Sequence, residues 1–370
     1  MGLRIHSAII DLSDANFNGI TQVLECVLKG RICGIVCCGT SEDLEYHDLL
    51  SIVKSEIYNT LQYCVPITLI PQPILPKGGL SIDIYTLDEP ENILIEEQGG
   101  ICFGVIESSQ ESMLFVEGIP ATDFSANVKE QSRELFGRLE SLLSEHGFSV
   151  DDIVRQWNYI GNIVAHRDGK QNYQEFNDAR TEFYSTGSWH NGYPAATGIG
   201  SEGEGIIVGV IAYKRAGHIY PIDNPLQVAA HAYSKQVLID EEANAPKSTP
   251  KFERAKVIET ERGTYCFVSG TAAIRGEKSV EAHSAGVQTI QTLENIEQLV
   301  SPDNLVRCGC KPYELEYAKI HVYIKEAKDY EEVRSVVEQR WPNVSALYSV
   351  ADVCRSELLV EIEGILTTKI

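Results

Sequence analysis

Alternating polar and apolar positions near the end of the chain predict a strand that carries two glutamates. In the stretch 352–364, alternation places Glu361 and Glu363 on one face of the strand. The opposite face is apolar and consists of Leu358, Val360 and Ile362. Glu361 therefore either faces solvent or lies in a pocket that raises its pKa, and in the second case it would serve as an acid.

One order of strand-like and helix-like segments occurs twice along the chain. Each copy begins with a strand, an amphipathic helix and a second strand, which fall at 113–121, 128–143 and 153–160 and again at 265–273, 287–300 and 317–324. Each copy then continues with a second helix and two closing strands, at 171–184, 194–200 and 205–213 and again at 330–340, 346–350 and 358–363. The match predicts a divergent repeat of roughly 110 residues.

This repeat predicts an α+β fold in which helices pack on one face of a mixed sheet in each of two units. We expect an N-terminal domain over 1–240, with its repeat copy at about 100–215 and an extra N-terminal layer formed by residues 1–95. The C-terminal domain is expected over 241–370. The segment 240–251 is rich in charge, Pro and Ala and is predicted to link the two copies.

Composition and charge narrow the class of protein. With 370 residues, of which 43% are hydrophobic, the chain is globular and long enough for two or three cores. A net charge of -22 argues against a nucleic-acid partner and against binding to acidic membrane surfaces. No signal-peptide pattern and no run of about 18 apolar residues is present, so we expect a cytoplasmic protein without a membrane span. The ten cysteines lack paired zinc-type spacing, which favours reduced thiols and no metal site.

The repeat unit resembles the YjgF/RidA family, whose members share a chorismate-mutase-like α+β fold. The residues that carry the resemblance are at 267–270, 288–296 and 359–363. RidA imine deaminases place a carboxylate-binding arginine in the penultimate strand, where this chain has Ala346 in the second copy and Ala196 in the first. The resemblance therefore implies the fold of the family but not simple imine deamination.

The two copies together resemble a chorismatase. Five blocks occur in the order of that family, at 155–159, 171–180, 193–200, 269–273 and 352–355 with Glu361. Chorismatases release pyruvate from chorismate and yield a hydroxybenzoate or a dihydroxycyclohexadiene carboxylate, without a metal or an organic cofactor. One departure is Gly276-Glu277, where members of the family commonly carry a Gly-His pair.

The resemblance implies a site whose residue types suit chorismate, a dianion with an enol ether. Glu361 is the expected general acid and Cys354 a second catalytic residue, and the expected substrate-binding residues are Arg155, Tyr173, Arg180, Tyr193, Ala272 and Arg355. The arginines can form bidentate bonds to carboxylates, and the tyrosines offer hydroxyl donors. Taken singly, most of these residues have ordinary structural explanations, and only their joint occurrence favours a site.

The first copy carries Gly209 where the second carries Glu361, so we expect one active site per chain, in the groove between the copies. The partner is then a small molecule, chorismate, and we expect a monomer or a weakly associating oligomer. We expect pyruvate and 3-hydroxybenzoate as products. Three alternatives stay open: hydrolysis to 3,4-dihydroxycyclohexa-1,5-diene carboxylate, formation of 4-hydroxybenzoate, and a non-catalytic YjgF-like protein that binds a metabolite.

Overall fold

A computed structural model describes residues 3–11, 17–27, 31–87, 93–167, 169–215, 218–234, 248–280 and 284–368. Three larger sheets, each with its own helices, make up this part of the chain. We call the parts that carry them the N-terminal unit (3–87), the middle unit (93–214) and the C-terminal unit (219–368). The predicted boundary at 240/241 lies outside the described residues, and the division into domains stays a prediction.

The N-terminal unit is a four-stranded sheet with two helices. Its elements are β1 (Leu3–Ile10), α1 (Asn18–Val27), β2 (Arg31–Gly39), α2 (Tyr46–Leu61), β3 (Ile67–Ile70) and β4 (Leu80–Leu87). The strand order is β1-β4-β2-β3, and only β2 and β3 run parallel.

The middle unit is a six-stranded sheet with two helices. Its elements are β5 (Ile93–Gln98), β6 (Ile101–Glu107), β7 (Ser112–Pro120), α3 (Val128–Glu145), β8 (Ile153–Gly161), the short β9 (His166–Arg167) and β10 (Lys170–Gln171), α4 (Asn172–Tyr184), β11 (Ala195–Ser201) and β12 (Ile206–Lys214). The strand order is β11-β8-β12-β7-β6-β5.

The C-terminal unit is also a six-stranded sheet. Its elements are β13 (Ile219–Ile222), β14 (Ala255–Thr260), β15 (Gly263–Ala272), the short β16 (Ile274–Arg275) and β17 (Lys278–Ser279), α5 (Ala285–Leu299), α6 (Pro302–Arg307), β18 (Leu315–Ile324), α7 (Tyr330–Arg340), β19 (Ala346–Val350) and β20 (Val360–Thr368). The strand order is β13-β14-β15-β20-β18-β19.

All three units share one connection order: strand, helix, strand, helix, strand, strand. Across each sheet these strands lie in the order first, fourth, second, third, which gives β1-β4-β2-β3, β7-β12-β8-β11 and β15-β20-β18-β19. The α+β fold with helices on one sheet face is thus confirmed, and the two repeat copies are the middle and C-terminal units. Residues 3–87, however, are more than an extra layer on the first copy, because they form a sheet of the same topology.

The search for internal repeats in the sequence did not identify the N-terminal unit, because its first helix is short. Helix α1 has 10 residues and buries only Ile20 and Leu24. The helix at the same place in the middle unit, α3, has 18 residues and buries a long stripe that includes Leu135, Leu139 and Leu142. Its first turn is also capped, since the Asn127 side chain accepts a hydrogen bond from the Glu130 N–H.

The three units contact one another in a closed ring. Between the middle and C-terminal units, the Gly270 N–H donates to Thr197 Oγ1 at 3.1 Å. The same contact joins the N-terminal and middle units, where the Gly118 N–H donates to Thr68 Oγ1 at 2.7 Å. Between the C-terminal and N-terminal units, the Leu75 N–H donates to the carbonyl oxygen of Tyr348 at 3.0 Å. The sheet faces that do not carry helices therefore meet inside the ring.

Candidate active site

Glu361 lies on the inner face of β20, at the junction of the middle and C-terminal units. Its side chain is buried, with 5% of its surface exposed. It lies opposite Ala272 on β15 and Tyr323 on β18. A β-carbon at Gly270 would overlap with Oε1 of Glu361, so the carboxyl group lies directly over a glycine. Of the two positions that the sequence left open, Glu361 thus occupies the buried one.

The sheet register identifies the residue of the middle unit that corresponds to Glu361. Glu361 pairs with the residue two positions after Gly270, and Ile207 pairs with the residue two positions after Gly118. Gly270 and Gly118 are equivalent, because each donates its N–H to a threonine of the preceding unit. Ile207 rather than Gly209 therefore stands at the position of Glu361, and the middle unit has no carboxylate there.

The environment of Glu361 favours its neutral form. Burial is the main cause that raises its pKa to about 8, and the neighbouring Glu363 raises it further, whereas Arg155 and Arg254 act in the opposite direction. Among the described residues we find no hydrogen-bond donor to its carboxyl group. A carboxylic acid with a pKa close to neutral pH is suited to donate a proton in catalysis.

Two predicted site residues, Tyr173 and Cys354, lie close to Glu361, and a third, Arg180, lies close to Tyr173. Tyr173 and Arg180 come from α4 of the middle unit, and Cys354 comes from the loop between β19 and β20. Burial is the main cause that raises the pKa of Tyr173, and Cys354 and Glu361 raise it further. Burial raises the pKa of the Cys354 thiol to about 12, and Glu361 adds to this shift. Both groups are therefore neutral at physiological pH and can donate hydrogen bonds but not act as anions.

Arg180 is one of several cations that converge beside this cluster. It is 2% exposed, and its Nη2 donates to Asn177 Oδ1 at 2.6 Å. Lys251 is close enough for Arg180 to help lower its pKa, although burial is the larger cause. The Lys251 Nζ also lies 5.6 Å from the centre of the Tyr193 ring. Tyr193 thereby belongs to the rim of the site, and its N–H is held by Glu253 Oε1 at 2.9 Å.

A second pair of cations flanks the Tyr233 ring. The guanidinium carbons of Arg254 and Arg355 lie 5.7 Å and 5.5 Å from its centre. Arg254 is 3% exposed, and its Nη2 donates to the Tyr233 hydroxyl at 2.7 Å, while its buried Nε has no partner among the described residues. Glu277 accepts hydrogen bonds from the N–H of Ser234 at 2.7 Å and from the Ser234 hydroxyl at 2.6 Å. This is the position at which members of the chorismatase family commonly carry histidine. Glu277 thus fixes the turn that carries Tyr233.

The sequence did not point to Lys251, Arg254 or Tyr233 as site residues. Lys251 is the last residue of the predicted linker, and Arg254 lies three residues later, just before β14. Their spacing around Phe252 was a possible signal, since Arg254 also stacks on that ring at 5.3 Å. Only the folded chain brings them to Arg180 and Arg355, so the local pattern alone could not assign them.

Arg155 occupies a different place from the other predicted substrate-binding residues. It is 1% exposed, lies 4.5 Å from the centre of the Trp157 ring, and forms a 2.5 Å salt bridge with Glu363. Its Nη2 also donates to Thr197 Oγ1 at 2.8 Å. Arg155 and Glu363 line a central cavity of about 160 Å³ where the inner faces of the sheets meet. The structure therefore places Arg155 behind Glu361 rather than among the cations around Arg254.

Two absences can be stated for the described part of the chain. No group of three His, Cys, Asp or Glu side chains in it is placed to hold a metal ion. No helix in it is long and apolar enough to cross a membrane. The cluster instead combines one carboxylic acid, two neutral donors and four cations, an arrangement suited to protonating an anionic substrate.

Comparisons with known proteins identify the family of this chain. Residues 86–212 match the family model of the chorismatase FkbO/Hyg5-like N-terminal domain. A 3-hydroxybenzoate synthase of Streptomyces hygroscopicus is 32% identical over 280 residues, which cover 73% of this chain and 78% of that protein. The chain belongs to the chorismatase family. Another member, a chorismatase of the same organism, is 28% identical over 72% of this chain and 75% of its own length.

The fold of this chorismatase also matches a crystal structure of a family member. That chorismatase structure superposes with a TM-score of 0.70 and covers 99% of both chains, at 21% sequence identity. The similarity covers the whole ring of three units, including the N-terminal unit that the sequence did not resolve. The fold is thus shown over nearly the full length.

Proposed function

We propose that this chorismatase converts chorismate to 3-hydroxybenzoate and pyruvate, with Glu361 as the general acid and without a cofactor. The observation that carries the proposal is the buried carboxyl group of Glu361, whose pKa is raised to about 8, with Arg254 as a neighbouring cation. The 32% identity to a protein named 3-hydroxybenzoate synthase supports the choice of product.

The cations account for the binding of a dianion by a protein with a net charge of -22. Arg180, Lys251, Arg254 and Arg355 form a local cluster of positive charge, and the unpaired Nε of Arg254 is free to bind one carboxylate. Buried hydrogen bonds to charged groups contribute about 1.5–3 kcal/mol each. Arg155 is left out of this cluster because it lies apart from these cations and is bonded to Glu363 through its Nη2, although its buried Nε and Nη1 have no partner among the described residues.

The proposed reaction begins with proton transfer from Glu361 to the methylene carbon of the enolpyruvyl group. The resulting oxocarbenium ion is stabilised by the Glu361 carboxylate. The neighbouring 4-hydroxyl of the ring then displaces the C3–O bond, whose electrons complete the keto group of pyruvate. The hydroxyl proton returns to Glu361, and the arene oxide opens to 3-hydroxybenzoate with loss of the ring proton. This route consumes no water, so the atoms of chorismate equal those of the two products.

Cys354 and Ala272 are proposed to decide between this route and hydrolysis. Ala272 pairs with Glu361 across the strands and is 4% exposed, and the Cys354 thiol is close enough to Glu361 for that group to raise its pKa. A methyl group and a neutral thiol at these places leave little space or hydrogen bonding for a water molecule. Because every residue of the site comes from one chain, we also propose that the monomer is active.

The test is to incubate the purified protein with chorismate and to follow pyruvate by a coupled assay and the ring product by chromatography. We expect equal amounts of pyruvate and 3-hydroxybenzoate. A dihydroxycyclohexadiene carboxylate or 4-hydroxybenzoate as the sole ring product would overturn the proposed route. Binding of chorismate without any pyruvate would support a non-catalytic metabolite-binding protein instead.

A further inference from the structure

The two glutamates on the inner face of β20 lie in very different surroundings. Glu363 accepts hydrogen bonds from Arg155 Nη2 at 2.5 Å, from Trp157 Nε1 at 3.1 Å, and from the Thr197 hydroxyl. All three donors come from the middle unit. Glu361, on the same face of the same strand, has no hydrogen-bond donor among the described residues. One carboxyl group is thus held in a salt bridge, and its neighbour is not.

The groups that face Glu361 come from five parts of the fold. Glu363 is its negative neighbour on β20, and Arg155 on β8 and Arg254 before β14 are its positive neighbours. The neutral groups are Tyr173 on α4 and Cys354 in the loop before β20. Arg155 is shared, because the same guanidinium is bonded to Glu363. The Nη2 of Arg155 is therefore committed to Glu363 and not to Glu361.

We propose that Glu363 is a positioning residue that keeps the catalytic proton on Glu361, because Arg155 and Thr197 hold Glu363 as the carboxylate of the pair. Two carboxyl groups that lie close together cannot both ionise without strong repulsion. The group with the better hydrogen-bond donors therefore stays ionised, and the other keeps its proton and can donate it. This inference rests on the proposed role of Glu361. It gives Arg155 an indirect part in catalysis.

Thr197 connects the two halves of this arrangement. Its hydroxyl group bonds to Glu363, accepts a hydrogen bond from Arg155, and accepts the N–H of Gly270 at 3.1 Å. Gly270 is the residue over which the Glu361 carboxyl group lies. One side chain thus fixes the anion of the pair and also the strand that supports the acid.

The pair occurs once in the ring. In the middle unit, the positions equivalent to Glu361 and Glu363 are Ile207 and Gly209. The Gly118–Thr68 contact is present there, but there is no acidic pair for it to support. In the N-terminal unit the same register gives Ser81 and Asp83, so a single acid occurs there and only the C-terminal unit carries the acidic pair.

The test is the pH profile of kcat/KM for Glu363→Gln. Same-face residues of a strand are ~6.6 Å apart, so removing the negative charge at an effective dielectric of ~20 should move the alkaline limb of the profile down by about one to two pH units. The ratio of kcat/KM at pH ~6 to that at pH ~8 should then rise from about 2 to roughly 25. A structural role for Glu363 would lower activity without moving the limb.

Glu117→Gln is the matched control. Glu117 is a buried carboxylate, 3% exposed, that bonds to Lys54 at 2.8 Å and to two backbone N–H groups at another junction of the ring. This variant should suffer a comparable loss of stability without a shift of the limb. The double variant Glu363→Gln/Arg155→Met removes both opposing charges and should return the limb most of the way to its wild-type position.

A readout without turnover separates this inference from the proposed function. The infrared carbonyl stretch of a protonated carboxyl group, identified by its loss in Glu361→Gln, should disappear at lower pH in Glu363→Gln than in the wild type. If the wild type does not turn over chorismate, the proposed function fails but this titration still decides the pairing. An infrared titration and an alkaline limb that are both unmoved in Glu363→Gln would overturn the inference.

Discussion

Replacing Glu361 by glutamine is expected to abolish catalysis and to stabilise the protein. Glutamine keeps the shape of the side chain but cannot donate the proton, so turnover should fall at least about a hundredfold. The gain in stability follows from the raised pKa of Glu361, which is about 8 in the folded chain against a usual value of 4.5. The native site favours a protonated acid, whereas the unfolded chain releases that proton above pH 4.5.

The magnitude follows from the linkage between proton binding and folding. Between the two pKa values the folded chain holds one more proton than the unfolded chain, so Glu361 lowers the free energy of unfolding by ~1.4 kcal/mol per pH unit. The contribution of Glu361 to stability is complete below pH ~4.5, has fallen by about 3 kcal/mol at pH ~7, and levels off above pH ~8. The glutamine variant has no titrating group there. Its advantage over the wild type should grow across the same range.

The assay is urea unfolding of both proteins at several values between about pH 5 and about pH 9. The difference between the two proteins removes the contribution of the other titrating groups. We expect that difference to change by about 3–4 kcal/mol in favour of the variant between the two ends of the range. A difference that stays constant with pH would refute the buried, protonated acid, even if the variant were inactive.

Three further predictions concern the pocket, the neighbouring strand and metal dependence. Arg180→Lys should raise KM about tenfold or more, because an ammonium point charge replaces the planar guanidinium group. The control is Arg133→Lys on the exposed face of α3, which should leave KM unchanged. An unchanged KM in both variants would place Arg180 outside the site. Gly270→Ala should lower turnover about a hundredfold, because its β-carbon would displace the Glu361 carboxyl group. Gly137→Ala on α3 has open space around it and should be harmless, and wild-type turnover in the Gly270 variant would contradict this geometry. EDTA should not affect activity, since no metal-binding group of three is found in the described residues, and a loss restored by one metal ion would refute a metal-free reaction.

The alternation of polar and apolar residues predicted the strand of Glu361 and the face that carries it. It could not predict the register between the copies, because a shift by two residues preserves the alternation. This is why Gly209 was matched to Glu361, whereas the structure places Ile207 there.

The sequence predicted only two of the four cations in the local cluster of positive charge, namely Arg180 and Arg355. Arg180 was predicted from the chorismatase resemblance, as the last residue of the block 171–180. Arg254 belongs to a segment of the C-terminal unit that contacts the middle unit. In this contact the Glu253 N–H donates to the Pro194 carbonyl oxygen at 3.0 Å. Contacts of this kind depend on how separate sheets pack, so the local pattern of polar and apolar residues does not predict them. The salt bridge between Arg155 and Glu363, which are 208 residues apart in sequence, could not be predicted for the same reason.

The ring of three like units on one chain allows each junction to evolve separately. In a ring of three identical subunits, every substitution would appear at all three junctions, so a buried glutamate useful at one would burden the others with the same unfavourable charge. Covalent linkage removes this constraint. One junction can keep Glu361 and its destabilising burial, while Ile207 fills the equivalent place at another with apolar contacts. The linkage also makes assembly of the site independent of protein concentration, because the neighbouring units are always tethered.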